Sequence, residues 1–245
     1  MVNHPETVIV SRSISRRLAM TLHFVLTGMG LLAGIYVSYR TGLLVYSLIF
    51  MGTSGLLWFY STTYKSQLIT GNVIVSALTA MVPLIVLIYE MPLLSRHYGS
   101  ITDGMGLDAG QMTRWVLFFS LLAFMFTMVR EVVKDVEDME GDEAFGMNTL
   151  PIVLGVKNTK RIIHLLNLMA ITTTVFFYFR QPFHVITFSY LLVFIIFPAI
   201  FCSFLISRAE TKTHYKQVSI LLKIILLMGV LYALLARFVI LTSIF

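Results

Sequence analysis

Seven long apolar stretches follow one another along the chain, separated by short polar segments. A bilayer core about 30 Å thick is crossed by a helix of about 20 predominantly apolar residues. Each stretch is close to that length, so the pattern predicts an all-α integral membrane protein, a multi-helix transmembrane bundle with seven spans. The predicted spans are residues 14–39, 42–60, 71–94, 113–129, 162–179, 185–207 and 218–245.

Residues that favour turns or kinks interrupt this pattern. The turn signals include Thr41-Gly42, Pro92, Gly141 and Gly155. Pro83 and Pro198 fall in mid-span, where neighbouring helices can satisfy the freed carbonyl groups, so each predicts a kink and not a break. No internal repeat or linker is visible, and the sequence therefore predicts a single domain over residues 1–245.

The composition agrees with a protein dissolved in lipid. Hydrophobic residues make up 58% of the 245 residues and charged residues 12%, whereas about a quarter of a soluble domain is charged. Cys202 lies in an apolar stretch without a Cys or His at metal-ligand spacing, and we predict that it is a packing residue. The net charge of +6 comes without a basic stripe containing interleaved aromatic residues, which disfavours nucleic acid as a partner.

The positive charges indicate an orientation in the membrane. Alternate loops carry twelve Lys and Arg residues on one side and four on the other, and Lys223 and Arg237 lie inside the last span. Cytoplasmic loops are the more basic ones, so the N-terminus is predicted to be cytoplasmic and the C-terminus external. The larger set is Arg12, Arg16, Arg17, Lys65, Arg130, Lys134, Lys157, Lys160, Arg161, Arg208, Lys212 and Lys216.

One acidic stretch lies at the predicted cytoplasmic edge and holds seven of the twelve acidic residues of the chain. On a helix, Glu131, Asp135, Asp138 and Asp142 fall within an arc of about 60°. Like charges at this spacing repel one another, so a divalent cation such as Mg²⁺ is one explanation for the cluster. A solvated acidic loop that pairs with Lys134, Lys157, Lys160 and Arg161 is the alternative.

The same stretch resembles a known family motif. Asp138-x-x-x-Asp142, followed by Gly146, Thr149-Leu150-Pro151 and Gly155, is similar to the second aspartate-rich motif of the UbiA superfamily of intramembrane prenyltransferases. The sequence from Arg130 to Asp142 resembles most closely that of the members that alkylate geranylgeranylglyceryl phosphate.

Two further segments carry the resemblance across nearly the whole chain. Lys65 followed by Gly71-Asn72 is similar to the Lys…Gly-Asn segment of the family. Val2-Asn3-His4-Pro5-Glu6 resembles the Ile-Asn-Lys-Pro-Asp segment that follows the first aspartate motif of the family. Thr7-Val8 and Arg12 depart from that pattern, because the family commonly has Arg-Pro and Gly there.

The resemblance implies a nine-helix fold, of which this chain contains helices three to nine. The first aspartate-rich motif would precede Val2. The expectation is therefore an N-terminally truncated prenyltransferase-like domain, with a genuinely short paralogue as the alternative. Activity of the 245-residue form is in doubt under either expectation.

The family also implies a site. Asp138 and Asp142 correspond to Mg²⁺ ligands, with Asp135 as a third candidate and Glu131 as a ligand or a substrate-orienting group. Three cations, Lys65, Arg130 and Lys134, are candidates for binding diphosphate oxygens; anchoring at the membrane edge is the alternative for the first two, and pairing with Glu131 or Asp138 for the third. Asn72 would orient substrate or cap a helix.

The implied activity is Mg²⁺-dependent transfer of a polyprenyl group from a prenyl diphosphate to a glycerol phosphate lipid or an aromatic quinone precursor. The implied partners are these substrates and membrane lipid, and the implied location is a bacterial or archaeal cell membrane with the acidic motif on the cytoplasmic side. An inactive membrane scaffold of the same fold and a transporter are the competing hypotheses. A transporter would place its acidic residues near the bilayer midplane, whereas these lie at one edge.

Overall fold

Helices form nearly all of the computed structural model, which describes residues 9–10, 13–105, 109–180 and 184–244. Among these residues there is no sheet, only an isolated bridge between Val10 and Ile14. The helices are α1 (Arg16–Arg40), α2 (Ser47–Thr62), α3 (Thr70–Met105), α4 (Ala109–Ala144), α5 (Leu150–Leu154), α6 (Val156–Phe179), α7 (Val185–Leu191), α8 (Phe197–Arg208) and α9 (Lys212–Ile244).

Seven helical segments of the described chain are long and apolar enough to cross a membrane, which confirms the predicted fold class. They are Arg16–Arg40, Leu44–Thr62, Thr70–Arg96, Met112–Ala144, Val156–Phe179, Val185–Arg208 and Lys212–Leu235. The main difference from prediction is the fourth, because α4 continues well beyond Val129 through the acidic stretch. A count of apolar residues locates only the apolar part of a helix, so it misses the charged continuation of α4.

Two of the predicted turn signals were wrong. Pro92 lies inside α3 and Gly141 lies inside α4, and both helices continue past these residues. Membrane helices tolerate Pro because neighbouring groups satisfy the freed carbonyls. Gly141 is buried, and the packing that buries it offsets the roughly 1 kcal/mol by which Gly disfavours a helix. The signals at Gly42 and Gly155 are confirmed, since both have a positive φ outside helices.

Pro198 is preceded by a π-helical turn over Leu192–Ile196, which separates α7 from α8. The N–H of Phe197 donates to the carbonyl of Leu192, five residues earlier, instead of the carbonyl four residues earlier. This wider turn makes room for the proline ring, which would clash with a carbonyl in a regular helix. Pro83 lies inside α3 without a break, as predicted.

The first of two compact units comprises residues 1–65 and 85–109. In it α1 approaches α2 closely at Gly34, where an added Cβ would lie 2.5 Å from Cγ of Phe50. The buried hydroxyls of Ser38 and Tyr89 form a hydrogen bond of 2.5 Å, and the ring of Tyr46 meets Tyr89 edge to face. A small residue at position 34 is therefore needed for this packing.

We expect Gly34→Ala to lower the free energy of unfolding by about 1–3 kcal/mol, because the new methyl group overpacks the contact with Phe50. Gly28→Ala on the same helix is the matched control: nothing lies within 4 Å of its added Cβ, and alanine is the better helix former. Thermal unfolding in detergent micelles measures both. Equal stability of the two variants would contradict the close packing of Phe50 against Gly34.

The second unit comprises residues 66–84 and 110–245 and contains the main core. Polar groups link its helices inside the membrane region. The amide nitrogen of Asn167 on α6 donates to Ala199 O and Ser203 Oγ on α8, at 2.7 Å in each case. Such interhelical hydrogen bonds stabilise membrane bundles, where apolar burial between helices contributes little. Cys202 is fully buried in this core, as predicted for a packing residue.

Candidate active site

The acidic residues of α4 are arranged by one uninterrupted helix. Because α4 extends to Ala144, Glu131, Asp135, Asp138 and Asp142 all lie on the same helical face. Glu131 is buried at 8% exposure and the three aspartates are half-buried, whereas Glu140 on the opposite face is exposed. The helix thus turns this group of four, here called the acidic face, toward the protein interior.

Glu137 is buried although it does not belong to the acidic face. On the helix it points away from that face, yet only 9% of it is exposed. Its burial could not be read from helical periodicity, since it depends on which elements pack against α4.

The glycines and proline that follow Asp142 shape the chain at the end of α4. Gly146, with φ of 67°, ends the helix: the Met147 N–H donates to Asp142 O at 2.9 Å, and the Gly146 N–H donates to Glu143 O at 3.0 Å. This is the Schellman arrangement, which favours glycine at the left-handed position. The Thr-Leu-Pro segment then starts α5, where the N–H that proline lacks would have no helical partner.

A backbone hydrogen bond ties this turn to the segment that leads into α3. The N–H of Asn148 donates to Ser66 O at 3.0 Å. Two segments that resemble family motifs, the one after Asp142 and the one that contains Gly71-Asn72, therefore meet at the same end of the second unit.

Asn72 contacts the acidic face directly. Its side-chain nitrogen Nδ2 donates to Oδ2 of Asp135 at 2.7 Å, and Asn72 itself is buried. Since α3 begins at Thr70, Asn72 lies inside the first turn, and the alternative of a helix cap was wrong. One turn deeper, the hydroxyl of Ser76 donates to Asn72 O at 2.7 Å and to the sulfur of Met128 at 3.8 Å.

The acidic face brings negative charges close together. Asp135 interacts electrostatically with the carboxylates of Asp142 and Glu131 and with the ammonium group of Lys134, which is exposed. Glu131 forms an ion pair with Arg130. The guanidinium Nε of Arg130 is buried and, among the described residues, has no hydrogen-bond partner. An anion with oxygen acceptors could use this donor.

The residues present suit a hard divalent cation that arrives together with a phosphate-bearing substrate. In the part of the chain that the structure describes, no three His, Cys, Asp or Glu side chains converge as a metal-binding group. Mg²⁺ commonly takes only one or two protein carboxylates and completes its shell with water and substrate phosphates. The half-buried aspartates could supply such oxygen ligands.

Other predicted residues lie elsewhere. Lys65 is exposed in a single turn, Tyr64–Ser66, and belongs to the first unit. The alternative hypothesis pairs the acidic residues with nearby lysine and arginine side chains, but two of these have neutral partners. Lys160 donates to Ala209 O, and Arg161 donates to Asn158 Oδ1. The acidic stretch is also a helix, and not the solvated loop that this hypothesis expects. The segment Val2-Asn3-His4-Pro5-Glu6 lies outside the described residues.

Three contacts of the site were not predicted from the sequence. They are the ion pair between Arg130 and Glu131, the backbone bond between Ser66 and Asn148, and the contact of Ser76 with Met128. Only Ser76 had a signal, because it follows Asn72 by four residues on the same helical face.

Comparison with known proteins gives one family. The model of the UbiA prenyltransferase family matches residues 1–227. A digeranylgeranylglyceryl phosphate synthase of Methanothermobacter thermautotrophicus is 30% identical over 225 residues, which cover 91% of this chain and 70% of that protein.

Two further similar proteins have the same name. The one from Korarchaeum cryptofilum is 26% identical over 238 residues, and the one from Thermococcus kodakarensis is 30% identical over 243 residues; each alignment covers 97% of this chain and 76% of the relative. No solved structure matches the chain significantly. With the family match over most of its length and seven candidate membrane spans, the chain belongs to the UbiA prenyltransferase family of integral membrane enzymes.

Proposed function

We propose that this prenyltransferase transfers a polyprenyl group from a prenyl diphosphate to a glycerol phosphate lipid, geranylgeranylglyceryl phosphate, in a Mg²⁺-dependent reaction. The observation that carries the proposal is the hydrogen bond from Asn72 to Asp135, because it joins the two motif-bearing helices α3 and α4 at the acidic face. The names of the relatives support the choice of acceptor.

Roles follow for the residues of this end of the protein. We assign Asp138 and Asp142 as Mg²⁺ ligands, with Asp135, which Asn72 holds in place, as a third candidate. Glu131 orients Arg130, whose buried Nε is a donor for a diphosphate oxygen. The exposed ammonium group of Lys134 is a further diphosphate contact. Mg²⁺, when bound, would neutralise charge on the departing diphosphate.

The apolar spans supply the rest of the site. They exclude water from the allylic carbon and receive the polyprenyl tail. In the transfer, the bond between the allylic carbon and diphosphate breaks, a carbon–oxygen bond to the acceptor hydroxyl forms, and the hydroxyl proton is released. Cationic side chains at the acidic face stabilise the charge that develops on the leaving group.

The location and domain organisation of the enzyme complete the proposal. The relatives reported above are archaeal, which supports an archaeal cell membrane as the location. The more basic loops support a cytoplasmic acidic face. We also propose that residues 1–245 act as a single transmembrane prenyltransferase-like domain.

A direct assay tests the acceptor. The purified chain in lipid nanodiscs is given geranylgeranyl diphosphate with either geranylgeranylglyceryl phosphate or a hydroxybenzoate, with and without EDTA. We expect a product with two prenyl chains from the lipid acceptor, and none with EDTA. Transfer to the hydroxybenzoate alone would overturn the proposed identity of the acceptor. A lack of transfer to either acceptor would favour an inactive scaffold.

We expect Asn72→Ala to lower kcat by about tenfold, because Asp135 loses its hydrogen-bond donor, a loss worth about 1–2 kcal/mol. The Mg²⁺ concentration that gives half-maximal activity should rise as well, which a purely structural role would not produce. Asn158→Ala is the matched control, since Asn158 donates to a backbone carbonyl on an exposed surface. An unchanged Mg²⁺ dependence in Asn72→Ala would count against the assigned role of Asn72.

A further inference from the structure

A second charged surface lies where α6 begins and where α8 is followed by α9. Beyond Glu143 the chain has nine Lys and Arg residues and a single acidic residue, Glu210. Six of the nine form this surface, which we call the basic corner. It consists of Lys157, Lys160, Arg161, Arg208, Lys212 and Lys216.

The fold unites two parts of the sequence at the basic corner. The ammonium group of Lys160 on α6 donates to Ala209 O at 2.6 Å and lies 5.9 Å from the ring centroid of Tyr215 on α9. The hydroxyl of Tyr215 donates to the same carbonyl at 3.2 Å. These contacts join segments 49 residues apart, so the cations of α6 and α9 belong to one surface and not to two separate loops.

Neutral groups are the partners of three of these cations. Lys160 is bound to a carbonyl, Arg161 donates to Asn158 Oδ1, and Arg208 lies 4.5 Å from the ring centroid of Phe204. The first turns of α6 and α9 contain no acidic residue. Glu210, between α8 and α9, compensates only part of this positive charge, so an external anion would stabilise the arrangement.

Lys223 extends the positive charge of α9 into the membrane. On this helix Lys212, Lys216 and Lys223 lie within about 40° of one another, and all three are exposed. Lys223 is eleven residues, or about 16 Å, from Lys212 along the helix axis. Side chains on a helix lean toward its N-terminus, the end of α9 at which the basic corner lies. A lysine within a span is costly unless it reaches the interface or meets an anion.

Apolar residues next to Lys223 indicate what kind of anion fits. Ile220 and Leu227 are exposed on the same side of α9, within about 60° of Lys223. Phe204 is also exposed, under the guanidinium of Arg208. A free phosphate would use only the cations, whereas a lipid has a phosphate for the cations and chains for the apolar residues.

We propose that the basic corner, together with Lys223, binds the phosphate-bearing headgroup of an anionic membrane lipid. The headgroup lies against the cations at the start of α6 and α9, and the lipid chains follow the exposed face of α9. This site uses none of the residues of the acidic face, and it does not depend on the proposed prenyl transfer.

Lipid retention tests the proposal. The full chain is equilibrated with mixed micelles of equal parts phosphatidylcholine and phosphatidylglycerol, and bound lipids are counted by native mass spectrometry. We expect the wild-type chain to retain phosphatidylglycerol preferentially. Since each Lys near an anionic surface contributes a factor of about five, Lys212→Gln/Lys216→Gln should weaken retention by about 25-fold.

The matched control is Arg16→Gln/Arg17→Gln, which removes two exposed cations from the first turn of α1. It should change retention less than twofold, because the two residues do not belong to the basic corner at which the lipid is proposed to be held. Lys223→Met is a second test variant, to be used if the double variant fails to fold. It should weaken retention by about fivefold. An equal loss in the control, no preference for phosphatidylglycerol, or displacement of the lipid by soluble glycerol phosphate would each overturn the proposal.

Discussion

Replacing Asp138 or Asp142 by asparagine is expected to lower kcat for prenyl transfer by about 10²–10³-fold. Asparagine keeps the shape of the side chain but removes the negative charge and one ligand oxygen of the carboxylate. Losing one group that stabilises charge in the transition state typically costs a factor of this size. The binding of an acceptor without diphosphate should change little, because the change affects the metal and the leaving group.

Glu140→Gln is the control for both aspartate variants. Glu140 lies on the same helix and loses the same charge, but it is exposed on the opposite face of α4. Steady-state kinetics with a radiolabelled prenyl diphosphate should show nearly normal turnover for this variant. If Asp138→Asn, Asp142→Asn and Glu140→Gln all retained wild-type turnover, the assigned metal ligands would be wrong.

Removing the guanidinium of Arg130 is expected to have the largest effect on stability. Glu131 is only 8% exposed, and Arg130→Met would leave its carboxylate without the ion-pair partner. Breaking a buried ion pair on one side costs about 3–5 kcal/mol, and the 22% exposure of the Arg130 side chain points to the lower end, about 3 kcal/mol. Unfolding in mixed micelles measures the change.

The double variant Arg130→Met/Glu131→Leu separates the ion pair from other effects of position 130. It leaves no unpaired charge, so its stability should recover most of what Arg130→Met loses. If the double variant were as unstable as Arg130→Met, packing of the arginine side chain and not the ion pair would explain the loss.

The membrane spans could be predicted because the constraint is local. Each span must hold enough apolar residues to cross the bilayer, whatever its neighbours are. The acidic face could be predicted as well, because i and i+4 positions share a face on any helix. Helix ends were predicted less well: Gly141 is a turn signal in isolation, but it is buried in the folded chain and α4 continues past it to Ala144.

The contacts that organise the site depend on three-dimensional packing. Asn72 and Asp135 are 63 residues apart, and neither helix specifies which partner it meets. Arg130 and Glu131 are neighbours in sequence, and adjacent residues on a helix point in different directions. Helical periodicity therefore does not predict their ion pair, which the structure shows.

Metal binding that depends on diphosphate tests the central claim most directly. Because no three ligands converge among the described residues, the acidic face should hold a divalent ion well only when diphosphate supplies further oxygens. Mn²⁺, which favours the same ligands, can be followed by electron paramagnetic resonance with and without inorganic diphosphate. We predict tight binding only with diphosphate, lost in Asp138→Asn and kept in Glu140→Gln. Mn²⁺ binding that is equally tight without diphosphate, or that persists in Asp138→Asn, would contradict a metal–diphosphate site on the acidic face.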